Sequence, residues 1–174
     1  FMAVTLRSKS FVLRPFRKGD EASLRRNINN RKIYRYTLRI HHPFTAKHAN
    51  DWIKKNISLQ KKKKAPEINF AIDIRGEVVG GVGLSHIEKH KAEIGYWLGE
   101  KYWGKGIITS AVKLVCKFGF QQLPLRRIWA AVFVKNKASA RVMQKTGFRF
   151  EGLMRKFHKK DGKLLDALLY AKTR

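Results

Sequence analysis

The chain has 174 residues and a mass of 20.2 kDa, a length that suits one domain and is short for two. It carries 39 Lys and Arg against 12 Asp and Glu, a net charge of +27, and its 44% apolar content is enough for a core and excludes a disordered chain. The single cysteine, Cys116, excludes an internal disulfide framework and a cysteine-built zinc site, and no apolar run reaches the ~18 residues of a membrane span.

The start, Phe1-Met2-Ala3-Val4, holds no apolar signal core. The expectation is a cytoplasmic protein with one domain over 1–174, Phe1 being a leftover ahead of the native start. The charge is spread evenly. Residues 1–87 hold 19 basic and 6 acidic side chains, and residues 88–174 hold 20 and 6. That excludes a basic tail on a neutral domain and points to phosphate-bearing partners or to a solvated surface. The one dense run is Lys61 to Lys64.

In chain order, Ser10–Pro15 alternates and stops at proline, which predicts a short strand. Asp20 precedes a helix start, and residues 31–44 read as a helical turn plus a loop. Thr45 caps a helix whose face is Ala49, Trp52, Ile53 and Ile57. The lysine run closes it and Pro66 stops it. Three strands follow: 68–74, 78–84 and 92–98. Glycines at 80, 81, 83 and 95 predict bulges or a close approach of other groups.

A glycine loop, Trp103-Gly104-Lys105-Gly106, then opens a helix with Ile107, Ile108, Ala111, Val115 and Phe118 on one face. Residues 127–134 form a buried strand. Asn136 caps a helix that turns Ala138, Val142 and Met143 inward and ends at Gly147. Strands at 148–153 and 164–170 are joined by an Asp161-Gly162 hairpin turn. The result is an α/β (α+β) domain with a mixed sheet of about seven strands and about four helices.

The strand, glycine loop and helix start from Tyr96 to Ile107 carry the chemistry. Glycines let backbone N–H groups converge, and the helix N-terminus adds partial positive charge, so phosphate can be held by backbone alone. The loop is neither a Walker loop nor the dinucleotide fingerprint, lacking the Gly-Lys-Ser/Thr ending of the one and the third glycine of the other. Asn136 and Ser139 share the first turn of the later helix. They read either as caps or as groups facing the same cleft.

Over essentially its whole length the sequence resembles the GNAT superfamily of N-acetyltransferases, in particular the RimJ/RimL-type branch named for ribosomal-protein acetylation. The carrying residues are Leu13-Arg14-Pro15, Ala92 to Leu98, Tyr102 to Gly106, Asn136-x-x-Ser139, Lys145-x-Gly147-Phe148 and Glu151-Gly152. The resemblance implies a twisted, mostly antiparallel sheet splayed between the fourth and fifth predicted strands, with the pantetheine arm of acetyl-coenzyme A lying in the splay. It further implies that Trp97, Leu98 and Gly99 meet pantetheine. The amides of Lys101, Tyr102, Trp103, Gly104, Lys105, Gly106, Ile107 and Ile108 would hold the pyrophosphate, and Asn136 and Ser139 would lie along the donor. Two positions depart from the family pattern: Lys101 where Gln or Arg is usual, and Ser110 where Glu is usual.

Amide formation needs a neutral amine, an oxyanion donor and an acid for the thiolate. Glu93, in an otherwise apolar strand, is the candidate base, with a salt-bridged surface role as the alternative. Ser139, or a tyrosine among Tyr96, Tyr102 and Tyr170, is the candidate acid. The Leu98 N–H is the oxyanion donor that the resemblance implies. Tyr34, Tyr36, His41 and His42 are candidates to line the acceptor pocket. His86, His90 and His158 show no ligand spacing, so no metal is expected. Cys116 reads as core.

The acceptor is a primary amine, with a protein N-terminus of ribosomal-protein type expected first. A +27 chain repels polycations, which ranks a polyamine, aminoglycoside or amino acid second. A basic RNA- or ribosome-binding protein on the same scaffold is the non-enzyme alternative. The family occurs as monomers and homodimers.

Overall fold

The computed structural model describes residues 4–174; Phe1 lies outside them. One sheet runs β1-β2-β3-β4-β5-β6-β8-β7. Its strands are β1 (Leu6–Arg7), β2 (Val12–Pro15), β3 (Ile68–Ile74), β4 (Glu77–Glu88), β5 (Lys91–Leu98), β6 (Arg127–Phe133), β7 (Arg149–Lys160) and β8 (Lys163–Thr173). Its helices are α1 (Glu21–Ile28), α2 (Arg31–Tyr36), α3 (Ala46–Gln60), α4 (Ile107–Gln122) and α5 (Lys137–Lys145). Neighbouring strands are antiparallel except β5 and β6, which are parallel.

Among the described residues there is one strand more than expected and one helix more. β1 has two residues, too few for an alternating pattern to register. α2 has six, and its signal is local: the Asn30 side chain accepts from the N–H groups of Lys32 and Ile33. Thr45 caps α3 as expected, in a reciprocal box with His48. Asp20 precedes α1 but its side chain does not cap it. It instead accepts two hydrogen bonds from Arg14, at 2.8 and 2.9 Å, while Arg14 donates a third to Asp73 at 2.6 Å. Burial disfavours the Arg14 charge, but these carboxylates outweigh it and raise its pKa. The network pins the start of α1 onto β2 and β3. On α5 the inward face is Met143, with Ala140 and Val142 partly packed; Ala138 is exposed, a correction to the expected face.

Apolar residues pack on both faces of the sheet. One cluster joins it to α4 and α5 through Leu84, Ile94, Val112, Val115 and Met143. The other joins it to α1 and α3 through Leu24, Ile28, Ile53 and Val78. Strand alternation divides β5 between them. Ile94, Tyr96 and Leu98 turn to the α4–α5 side, and Trp97 turns to the α1–α3 side. Glycine makes room for that indole: a Cβ on Gly81 would lie 2.6 Å from Trp97 Nε1. The expected close approach therefore comes from a side chain of the sheet itself.

β5 and β6 pair only over Lys91–Glu93 with Arg127–Trp129. Beyond that β5 stays with β4 as far as Leu98, and β6 stays with β8 as far as Phe133. The sheet is open between them, at the fourth and fifth of the strands predicted from sequence.

Candidate active site

The open edge of β5 is fixed by its pairing on the other side. The Gly99 N–H donates to Val79 of β4 at 2.8 Å, while the His90 carbonyl accepts from the segment leading into β6. Successive peptide groups alternate. Tyr96 and Leu98 therefore present their N–H and C=O groups to the splay, and Trp97 and Gly99 present theirs to β4. The Leu98 carbonyl is taken by the Trp103 indole at 2.7 Å, which folds the glycine loop back over the end of β5.

Residues Glu100–Tyr102 make one 3₁₀ turn. Gly104 and Gly106 follow at φ +74° and +73°, a region that residues with a Cβ enter at a cost. Gly106 precedes α4, whose first turn has no side-chain cap and no acidic residue. Its orphan N–H groups and positive dipole end are left for an anion, which fits a pyrophosphate. The loop is anchored by Glu100, which accepts from Asn30 at 2.7 Å and pairs with Lys32; these bonds hold the Glu100 carboxyl below its usual pKa. Lys101 and Lys105 are exposed beside it, with the Lys105 ammonium 5.8 Å from the Tyr102 ring.

Across the splay, Tyr96 Oη and Ser139 Oγ are 2.5 Å apart. This contact links β5 to α5 and answers which tyrosine stands by Ser139. Burial pushes the Tyr96 pKa up to about 12, with the Ser139 bond opposing the shift. Asn136 does cap α5, accepting from the Ser139 N–H at 3.1 Å, which orients that first turn toward Tyr96. Tyr170 lies in the core, away from this pair, and contacts Phe150.

Glu93 stands three residues before Tyr96, an odd spacing that puts the two on opposite faces. Its side chain is 19% exposed. Glu93 Oε2 lies 2.9 Å from His86 Nδ1 and 3.8 Å from the Arg39 guanidinium. Trp129 is its register partner on β6, at the last rung before the splay. Buried His158 lies against Phe133 and Phe157. Burial lowers the His158 pKa, against the opposing Glu93 charge and a hydrogen bond to the Ala131 backbone. The alternation of β5 was visible in sequence, but the contacts to Arg39, His86 and Trp129 come from distant segments.

On the α1–α3 side the loop after α2 and the tip of the β7–β8 hairpin enclose a depression of about 380 Å³. Tyr34, His41 and His42 line it, together with Arg39, Lys159 and Lys160; Tyr36 is exposed and does not. His41 stacks on His48, and His42 tilts against Tyr34. A latch ties the two walls. Tyr34 donates to Asp161 at 2.5 Å, and Lys160 donates to the carbonyls of Tyr34 and Thr37. Burial lowers the Lys160 pKa.

Cys116 is buried in α4, and burial raises its thiol pKa to about 12, so it is a core residue with no reactive thiolate. Among the described residues, no three His, Cys, Asp or Glu side chains form a metal site, and no helix is long and apolar enough to cross a membrane.

An uncapped glycine-led helix start, a strand edge opened for an extended arm and a carboxylate across the strand define an acyl-transfer scaffold. A family model described as acetyltransferase (GNAT) domain matches residues 10–149, and the chain belongs to that family. It is an N-acetyltransferase with acetyl-coenzyme A as donor. Spermidine N(1)-acetyltransferase of Escherichia coli is 30% identical over 153 residues, 85% of this chain and 78% of that one. The structure of a ribosomal-protein-S5-alanine acetyltransferase from Vibrio fischeri superposes with TM-score 0.87 at 25% identity, covering 98% of this chain and 96% of that one. Mycobacterium smegmatis RimJ in complex with CoA-disulfide superposes with TM-score 0.85 at 28% identity, covering 98% and 86%.

Proposed function

We propose that the protein acetylates a primary amine at a protein N-terminus by direct attack, with donor and acceptor meeting through the splay from opposite faces of β5. One observation carries this reading: Glu93 stands on the α1–α3 face and the Tyr96–Ser139 pair on the α4–α5 face of the same strand, at its unpaired edge.

Acetyl-coenzyme A binds as substrate, its pyrophosphate on the amides between Lys101 and Ile108 and its pantetheine along the edge presented by Tyr96 and Leu98. Trp97 and Gly99 contribute by shape, since their peptide groups face β4. The amine enters by the depression at α2. Glu93 takes its proton, and His86, 58% exposed at the side chain, passes that proton to solvent. The nitrogen lone pair then attacks the thioester carbonyl.

The oxyanion needs a donor near the base. Leu98 lies five residues up the strand, about 16 Å away. The Tyr96 N–H, the first beyond the last β5–β6 rung, is the better placed of the two. As the carbon–sulfur bond breaks, the departing sulfur takes the proton of Tyr96, which is protonated at neutral pH and held in place by Ser139; Glu93 takes the second proton from the nitrogen, and Tyr96 regains a proton from solvent. The products are the N-acetyl amine and coenzyme A.

The likeness to a spermidine acetyltransferase favours a second reading, a small polyamine acceptor. Labelled acetyl-coenzyme A with N-terminal peptides, ribosomal proteins and polyamines separates the two. Saturating acetyl-coenzyme A is expected to raise Tm, and no shift would sink the acyl-transfer reading.

A further inference from the structure

The charged side chains that line the depression on the α1–α3 side are cations with one exception. Arg39 and Lys159 line one part, and Arg31, Arg35 and Lys163 line a second part of about 280 Å³ that shares Tyr34, Lys160 and Asp161 with the first. Only one carboxylate lines either part, Asp161, and the Tyr34 hydroxyl already occupies it. Among the described residues, Arg31, Arg35, Lys159 and Lys163 have no carboxylate partner. Lys160 is different. It is consumed by two carbonyls at the end of α2, and so serves to hold the walls together.

One side chain links the charged depression to Glu93. Arg39 lines it and also reaches to 3.8 Å from Glu93. At 63% side-chain exposure Arg39 is free to turn toward an incoming anion. An acceptor carboxylate that draws the guanidinium away leaves Glu93 with His86 alone, ready to take a proton. The latch keeps Arg35 and Lys163 at fixed places beyond this point, so anions at successive positions along an extended chain meet cations in turn. A polyamine meets an excess of like charge, at the mouth and over the +27 molecule as a whole.

We propose that the acceptor is a peptide amino terminus followed within its next few residues by acidic side chains, which Arg39, Arg35 and Lys163 bind. This rests on the acyl-transfer reading above and adds the substrate class.

The test compares kcat/KM for four acceptors with labelled acetyl-coenzyme A: a Ser-Asp-Glu-Glu peptide, a Ser-Ala-Gly-Ala peptide, free glutamate and spermidine. The acidic peptide is expected to lead the neutral one by about tenfold, the scale of two partly exposed ion pairs. That lead should shrink as salt is raised from 0.05 to 0.5 M, roughly the range over which the Debye length falls below the spacing of exposed charges. The charge-reversed variant Arg35→Glu/Lys163→Glu should lower the ratio of acidic to neutral kcat/KM by at least about tenfold. A retained rise in Tm with coenzyme A shows that this variant is folded.

Equal rates for both peptides, a lead for spermidine, or an unchanged ratio in the folded variant overturns the inference and leaves the acyl-transfer reading standing. Free glutamate matching the acidic peptide overturns the peptide assignment. No transfer to any acceptor, with no Tm response to acetyl-coenzyme A, removes both.

Discussion

The two sides of the splay are built from different materials. The proposed donor side is made of backbone: an unpaired strand edge, two left-handed glycines and the first turn of α4. The proposed acceptor side is made of side chains carried by α2, its following loop and the β7–β8 tip. Backbone groups bind a part that every donor molecule shares, and they tolerate change in nearby side chains. The acceptor wall can change its chemistry one side chain at a time without touching the fold. Its relation to proteins acting on a polyamine and on a ribosomal protein is what such a division allows.

The sharpest way to break this comparison is at the strand that both sides share. Glu93→Gln should lower kcat by about 10²–10⁴-fold, the range for a lost general base, with the Kd for coenzyme A unchanged. Wild-type turnover would remove Glu93 from the chemistry. Tyr96→Phe should lower kcat by about 10- to 100-fold, since the thiolate loses one hydrogen bond in a dry site. If Ser139→Ala alone costs as much as Tyr96→Phe, Ser139 is the proton donor and Tyr96 its support.

On the donor side, Gly106→Val forces a β-branched residue into the left-handed region at a cost of about 1–2 kcal/mol. Calorimetry should find acetyl-coenzyme A binding weakened by about tenfold, with the acceptor KM little changed. An equal loss for both substrates would mean that the two sides are not separable.

The smallest effect is on stability. Burial holds the His158 pKa below the usual value, so the unfolded chain takes up a proton near pH 6.5 before the folded one does. Below that pH the unfolded state binds more protons, and stability falls as pH drops until the folded pKa is reached. Thermal melts from pH 7 to pH 5 should show this slope, and His158→Gln should flatten it.

The same division governs what could be read from sequence. Gly104 and Gly106 sit two residues apart beside a strand pattern and a helix pattern, so the donor side was legible as a local motif. The splay was not written in any spacing and came with the family resemblance. On the acceptor side Tyr34 meets Asp161 across 127 residues, and Glu93 meets Arg39 and His86 from two other segments. No periodicity encodes such pairs. Tyr96 was visible as a residue, but its partner Ser139 is 43 positions away and on another element. The six residues of α2 hold less than two helical periods, so their pattern shows no more than a helical turn.

The three rungs joining β5 to β6 also make the sheet a pair of plates with a common hinge. Glu93 and Trp129 sit on the hinge line. A rotation of about 5° between the plates moves Leu98, about 16 Å out, by roughly 1.4 Å and leaves Glu93 almost still. The lips can therefore part to admit a long donor or release coenzyme A, while the proposed base at the vertex keeps its place, so that substrate exchange and proton transfer would make separate mechanical demands on one strand.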